Sequence, residues 1–538
     1  MKTKQLFIVI LILFVGFSIA SAQDKPDLLA ISKIWEEGTT HSQVMELVSY
    51  LADVIGPRIP CTPAIDKAYE WTASRFKKWG MENIAIEPWG EFGLGWSNEY
   101  ISVHMISPYY QSMLAYPVPW TTSTNGKISG QPIYIKIETK EDFEKCRGKL
   151  KGAIILTVPP RKAAPTFTPS AIRMSKEDLD NLKKVPIPVK PEDEEKSLTK
   201  PTWEEMEDFF RAEQVGVLIQ PSSPTRRDYG TVKVDAYDLE GKNHKKRYQN
   251  PRIIIAAEHY ARIFRIMDHK VPVTLEIEII NKIYDKDLQA YNVIAEIPGM
   301  DKRDELVMLG AHLDSWTAGT GAADNAAGCG VVMEAMRILK TIGVNPRRTI
   351  RAALWSAEEE RELGSRGYVA KHFGDTEKQT LKLADWETLK KHWRKPLGDS
   401  KILITKPEYD KLSCYFNYDN GAGKILGVYL QENILVSPIF EKWIEPLHDL
   451  GVTTLTLRNT WETDHLPFDW IGLPGFQFIQ DKLDYYTRVH HTNQDVFDHC
   501  IPEDLIQSAI VMACFVYHTA MREEMLPRKP IPLPREIK

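Results

Sequence analysis

A chain of 538 residues is long enough to bury more than one hydrophobic core, so its six cysteines are not needed as staples. The 68 Lys and Arg against 73 Asp and Glu leave a net charge of −5, which gives no electrostatic reason to expect nucleic acid or a membrane surface as a partner. Small or neutral substrates fit that balance better, and the cysteines, with no Cys-x-x-Cys or metal-finger spacing, read as small buried apolar residues.

In chain order the first element is a targeting segment. Lys2 and Lys4 precede an apolar run from Leu6 to Ile19, and Ala20-Ser21-Ala22 has the small-x-small pattern of a cleavage site. Residues 1–22 are therefore read as a signal peptide of an exported protein, periplasmic or extracellular, with an uncleaved anchor as the alternative. After its removal no segment approaches the roughly 20 apolar residues of a membrane span. Helical spacing follows at 42–55 and 66–79, then a strand at 83–88. Short β-rich segments at 132–137, 153–158, 216–220, 253–257 and 273–280 predict a β-dominated domain. Within it, residues 159–205 are rich in Pro, Lys and Glu and read as a long surface excursion or mobile loop.

From Tyr291 the rhythm changes to strand, helix, strand. Strands are predicted at 292–297, 306–310, 349–355, 413–418, 453–457 and 475–479, and helices at 324–340, 358–372 and, amphipathic, 503–521. Near-continuous apolar strands separated by helices predict an α/β fold with a mostly parallel sheet covered by helices on both faces. The β-rich block is then an insertion. The domains follow as 1–22 signal, 23–120 first part of the α/β domain, 121–285 insert, 286–525 catalytic part and 526–538 a Pro-rich tail with little to pack.

The acidic and histidine residues of this α/β part fall at strand ends. His312 and Asp314 follow 306–310, Asp324 opens the next helix, Glu358 and Glu359 follow the strand ending at Trp355, and Asp419 follows 413–418. In an open parallel sheet these positions share the edge where ligands bind. Taken singly, each has an ordinary role: a strand-end hydrogen bond for His312, a helix cap for Asp324, first-turn acids at Glu358 and Glu359, turn chemistry at Asp419. Together, two imidazoles and three carboxylates, one of them shared, are what a pair of zinc ions about 3.5–4 Å apart requires. The second imidazole would come from Val489-His490-His491-Thr492, before Asp495. Two consecutive glutamates at a helix start point in different directions, so one can bind metal and the other face the water.

The runs Gly310-Ala311-His312-Leu313-Asp314-Ser315-Trp316, Gly321-Ala322-Ala323-Asp324-Asn325-Ala326-Ala327-Gly328 and Trp355-Ser356-Ala357-Glu358-Glu359, with Tyr418-Asp419-Asn420, Thr463-Asp464-His465 and His491-Thr492, resemble the dizinc exopeptidase family in the right order. That family includes bacterial leucyl aminopeptidases and carboxypeptidase Q. The likeness covers about 291–520, and more loosely the amino-terminal helices. The insert resembles a protease-associated domain through Gly152-Ala153-Ile154-Ile155-Leu156 and Gly216-Val217-Leu218-Ile219.

The resemblance implies two zinc ions, one held by His312 and Asp419, the other by Glu359 and His491, with Asp324 bridging. It implies Glu358 as general base, Asp314 as a carboxylate that fixes the tautomer of His312, and Asp464 and His465 on the substrate side, a helix start at Thr463 being the other reading of that motif. His490 competes with His491 as ligand; the family motif places the ligand directly before Ser or Thr. Gly56-Pro57-Arg58 also matches, although Ile59-Pro60-Cys61-Thr62 departs from the Gly-Ser that follows in the family. The implied activity is hydrolysis of terminal peptide bonds, as an aminopeptidase or a carboxypeptidase Q-like dipeptidase, with peptides as partners and a homodimer allowed. The alternatives are a transferrin-receptor-like binding scaffold, which predicts missing ligands, and a glutaminyl cyclase, which uses one zinc.

Overall fold

A computed structural model describes residues 24–160, 167–184, 201–222, 229–236, 250–376 and 403–530. The signal segment lies outside them, as do parts of the 159–205 excursion and the end of the tail.

The α/β part is built on eight strands: β1 Glu82–Glu91, β2 Gln289–Ile297, β3 Lys302–His312, β4 Arg348–Trp355, β5 Leu412–Asn417, β6 Ile425–Tyr429, β7 Thr454–Thr456 and β8 Gly475–Gln480. Their order is β1-β2-β4-β3-β5-β8-β6-β7. The central four, β4, β3, β5 and β8, run parallel. β1 and β2 pair antiparallel at one side, and β6 runs antiparallel to β8 with β7 parallel to it at the other. The sheet is thus mixed, with its parallel portion at the centre.

Alternation along β3 shows why both faces are covered. Val307, Leu309 and Ala311 enter one core with residues of α1 (Leu28–Thr40), α3 (Ala327–Thr341) and α5 (Pro502–Met521). Leu306 and Met308 enter a second core on the opposite face, with Tyr368 and Val369 of α4 (Leu363–His372). A further helix, α2 (Pro63–Lys78), packs on β1 and β2. The sequence reading made α5 amphipathic. It is instead buried on nearly every side, from Leu505 to Ala520, because it is wedged between the sheet and helices α1 and α3. Among the described residues it is the helix long and apolar enough to cross a membrane, and 89% of its apolar window is buried inside the protein. That is the signature of a core helix.

The β-rich block forms two further sheets. One orders Gln111–Ser112, Gly95–Ser107, Thr274–Tyr284 and Ile128–Gly130; the other orders Ala115–Pro117, Arg252–Ile255, Val217–Pro221, Ile154–Leu156 and Pro132–Tyr134. Val103, Met105, Leu275 and Ile277 of the first meet Ile154, Val217 and Ile253 of the second in a common core. The long Gly95–Ser107 strand, which was not foreseen, pairs along its length with Thr274–Tyr284.

Several expectations need correction. Within the 159–205 excursion, the stretch 167–184 is docked rather than mobile: Ile172 bridges to Leu483, Arg173 pairs with Asp481 and Asp504, and Arg458 donates to the carbonyls of Asn181 and Lys184. The start of the tail also packs. Leu526 is buried with its amide on Ser413 Oγ (3.1 Å), and Arg528 donates to the carbonyls of Tyr409 and Leu412. All six cysteines are free thiols, four of them buried and Cys61 and Cys146 partly so.

Candidate metal centre

The strand-end residues do converge. β3 ends at His312, and its ring is pinned from behind: Nδ1–H donates to the carbonyl of Asp314 at 3.1 Å. That bond leaves Nε2 as the free ring nitrogen. Nε2 faces Asp419 Oδ1 at 3.2 Å and Asp324 Oδ1 at 3.3 Å, with Glu358 Oε2 at 3.9 Å. On the other side His491 Nε2 lies 3.1 Å from Glu359 Oε2 and 3.7 Å from Asp324 Oδ2. Asp324 therefore turns one oxygen toward each imidazole.

Local structure explains how the carboxylates arrive there. Asp324 is not the cap of α3. It sits in an irregular turn, Ala322–Ala326, with extended backbone (φ −130°), and α3 starts only at Ala327. The turn is held by Asp495, whose Oδ1 accepts the amide of Ala323 at 2.7 Å and whose carbonyl accepts that of Thr320 at 2.8 Å. Asn325 Nδ2 donates to the carbonyl of Tyr418 and to Asp419 Oδ1, at 2.9 and 3.0 Å, so one side chain locks two of the converging segments. Gly328 is required here, since a Cβ would fall 2.3 Å from Asn325 Oδ1 and 2.5 Å from the Tyr418 carbonyl.

Glu358 and Glu359 likewise precede their helix. The backbone turns left-handed at Ala357, Arg361 and Glu362, and α4 begins at Leu363. The turn, and not a helix start, separates the two carboxylates. Asp314 holds it: Oδ1 accepts the amide of Glu358 and Oδ2 that of Glu359, both at 3.2 Å. Its Oδ1 is 3.6 Å from His312 Nδ1, so the closer restraint on that ring is Asp314's own carbonyl.

Arg58 staples the connection between β3 and Asp324. Fully buried, its guanidinium donates to the carbonyls of Leu313, Thr320 and Gly321 at 2.7, 2.9 and 2.8 Å, and its amide to Ser315 Oγ.

Two expectations do not hold. Asp464 and His465, read as facing substrate, are fully buried behind the cavity wall. Asp464 accepts from Ser365 Oγ at 2.5 Å, and His465 is clasped by Gln431 and Thr463. The short helix Leu466–Trp470 begins after them and not at Thr463. Burial drives the His465 ring down to about 3, which keeps it neutral.

Does this donor set fit metal? Asp324 Oδ2 and Glu359 Oε1 are buried with no hydrogen-bond partner, an expensive state for carboxylate oxygens unless a cation meets them. Burial opposes charge on His312, yet the carboxylates of Asp419 and Glu358 outweigh it and hold its pKa well above the usual range. His491 behaves alike, at about 9: burial opposes charge, and the facing carboxylates of Glu359 and Asp235 prevail. The field of the site calls for positive charge. The clusters His312–Glu358–Asp419, His312–Asp324–Glu359 and Asp324–His490–His491 each place ligand atoms within 4.8 Å of one another. The His490 ring lies against that of His491, tilted by 41° with ring centroids 3.7 Å apart. Beside them opens a cavity of about 400 Å³ whose walls include Lys233, Arg361, Trp461, Glu462, Tyr485 and Tyr486. None of these six was singled out in the sequence; the tyrosine pair in front of Val489-His490-His491 was the available signal.

Residues 292–516 match peptidase family M28. The matched segment is less than half of the chain. Human (Homo sapiens) carboxypeptidase Q is 27% identical over 280 residues, 52% of this chain and 51% of that protein, so the chain spans about half the length of the curated relatives it matches. The family M28 fold extends further. The M28 peptidase precursor of Shewanella amazonensis aligns over 93% of this chain and 98% of its own, at 21% identity and a TM-score of 0.63. A zinc aminopeptidase of Bacillus subtilis aligns over 90% and 97%, at 18% identity and a TM-score of 0.53.

Proposed function

We propose that the chain is an exported, two-zinc exopeptidase that hydrolyses terminal bonds of peptides. The observation that carries this reading is Asp324, whose two oxygens divide between His312 and His491. His312 and Asp419 would hold one ion, Glu359 and His491 the other, and Asp324 both. The bound ions would supply Lewis acidity, activating water and polarising the scissile carbonyl.

Glu358 has no such duty. It lines the cavity with its backbone fixed by Asp314, free to take a proton from the attacking water and deliver it to the leaving amine. Water's oxygen bonds to the carbonyl carbon, the C–N bond breaks, and the proton moves by way of Glu358. Burial, then the charge of Asp419, pushes the Glu358 carboxyl well above its usual range, which suits a group that must carry that proton. All five ligand positions and the base are present, against the scaffold reading. Residues 1–22 support export, and the β-rich block supports a protease-associated insert whose sheets take in strands from residue 95 onward.

The relatives' names point to both peptide ends, and the cavity wall carries both Lys233 and Arg361 and the acids Glu362 and Glu462. The test is hydrolysis of one tripeptide in free, amino-acetylated and carboxy-amidated forms by zinc-loaded protein. Cleavage stopped only by acetylation marks an aminopeptidase, and cleavage stopped only by amidation a carboxypeptidase or dipeptidase. Glu358→Gln should lower kcat by about 10²–10⁴-fold with zinc retained. No cleavage of any form would sink the proposal.

A further inference from the structure

The segment Thr231-Val232-Lys233-Val234-Asp235-Ala236 comes from the β-rich block, far from the metal-site motifs in sequence. It alternates as an extended strand must. Val232 and Val234 are fully buried against Ala256 and Ala318, which leaves Lys233 and Asp235 on the opposite side, toward the metal centre.

Its register against the loop carrying His491 is fixed by backbone. The amide of Val234 donates to the carbonyl of His491 at 2.8 Å, and Lys233 bridges to Thr492. Asn493 locks the far end: its Oδ1 accepts the amide of Val232 at 2.6 Å, its own amide donates to the Val232 carbonyl at 3.1 Å, and its Nδ2 donates to the Gly230 carbonyl at 3.0 Å. A one-residue slip would turn Asp235 away from the site. In this register Asp235 Oδ2 lies 3.7 Å from His491 Nδ1, the ring nitrogen opposite the one that faces Glu359 and Asp324. The same oxygen takes Lys233 Nζ at 2.9 Å.

We infer that Asp235 is a positioning residue for His491: the inserted block supplies the carboxylate that orients this ring and raises its basicity toward the second metal ion. The inference rests on the two-zinc reading above. A histidine that ligates through Nε2 needs a partner for Nδ1–H, and outer partners of this kind set metal affinity by about 10–100-fold. On the His312 side that partner is a carbonyl of the same segment, Asp314. On the His491 side it comes from a segment of the β-rich block distant in sequence, bridged to the His491 loop at Thr492.

The test is a chelator titration of the zinc-loaded full chain, with bound zinc counted at each step, for wild type, Asp235→Asn, Asp235→Ala and Asp235→Glu. Wild type should hold two ions. Asp235→Asn and Asp235→Ala should release one ion at chelator concentrations about 10–100-fold lower and the other at the wild-type midpoint. Their kcat at limiting zinc should fall with KM unchanged, and Asp235→Glu should recover part of the loss. Melting of metal-free protein reports folding separately, and the near-isosteric Asn variant decides if the Ala variant unfolds. Release of both ions at wild-type midpoints in Asp235→Asn would overturn the inference and leave the two-zinc reading standing. Fewer than two ions in wild type would overturn both.

Discussion

Asp324 is the residue on which the two halves of the proposed centre depend. Its oxygens serve opposite imidazoles, whereas Asp419 approaches only His312 and Glu359 approaches His491. Substitutions should therefore differ in stoichiometry and not only in rate. Asp324→Ala should lose both zinc ions and Asp419→Ala one, as counted by elemental analysis after dialysis; equal losses would show that the shared role is wrong. His312, Glu359 and Asp419 were legible in the sequence because each follows a near-continuous apolar strand, and Asp324 because it lies between such a strand and the next helix, so the sheet itself predicts where they meet. Asp464 and His465 follow no such strand, and the inward turn that buries them depends on packing around Ser365 and Gln431. Asp235 was missed because its meaning lies in a contact with residue 491, to which no local pattern points.

At the level of elements, the turns matter more than the helices they introduce. The sequence reading began helices at Asp324 and Glu358, and both begin later, at Ala327 and Leu363. The intervening residues adopt left-handed or extended backbone that helix periodicity cannot register. β6 was missed for a comparable reason: it is five residues long and contains Gly427, where a Cβ would sit 1.7 Å from the Thr454 carbonyl. Arg58 makes the case energetically. Replacing it by Met would strand the carbonyls of Leu313, Thr320 and Gly321, at a cost of about 3–5 kcal/mol. The expected result is a lower urea midpoint together with weaker zinc retention.

A second set of elements is tied by charge. His372 at the end of α4 bonds Glu87 of β1 through Nε2 at 2.7 Å and Glu408 through Nδ1 at 3.2 Å, while Lys371 also pairs with Glu87. Burial works against the charge on His372, but these carboxylates raise its pKa above 6.5. Its stabilising contribution is thus complete below pH 6.5 and is lost as pH rises through the folded-state value. For Glu87, burial pushes the pKa up, yet hydrogen bonds from His372 and Lys371 win and bring it from 4.5 to about 2, so its contribution is present above pH 4.5 and lost as pH falls toward about 2. In His372→Gln, the loss of stability relative to wild type should be largest near pH 6 and shrink by pH 9. Urea midpoints at the two pH values check this, and a gap that widens with pH would contradict it.

Across the whole molecule, the proposed metal centre joins the α/β sheet to the β-rich block, since the strap around Val232 and Val234 binds the His491 loop directly. Metal should therefore stabilise the fold as a unit. An ion present at about 1,000 times its Kd contributes about 4 kcal/mol, so excess chelator should lower the melting temperature of both β-rich and α/β regions together, as followed by hydrogen exchange. Melting of one region alone would separate them. The fold class was the most legible part, because the alternation of apolar strands with helices is a property of long segments. The mixed edges of the sheet and the Gly95–Ser107 strand were not, since they depend on pairing across distant chain.

The order of the proposed ligands along the chain has a consequence for biosynthesis. His312, Asp324, Glu359 and Asp419 leave the ribosome well before His491. At about 5–20 residues per second, the interval between His312 and His491 is on the order of ten seconds or more. Throughout that time the growing polypeptide carries carboxylates and one imidazole but no complete centre. On the proposed reading, competence to cut peptides is thus withheld until translation is nearly over.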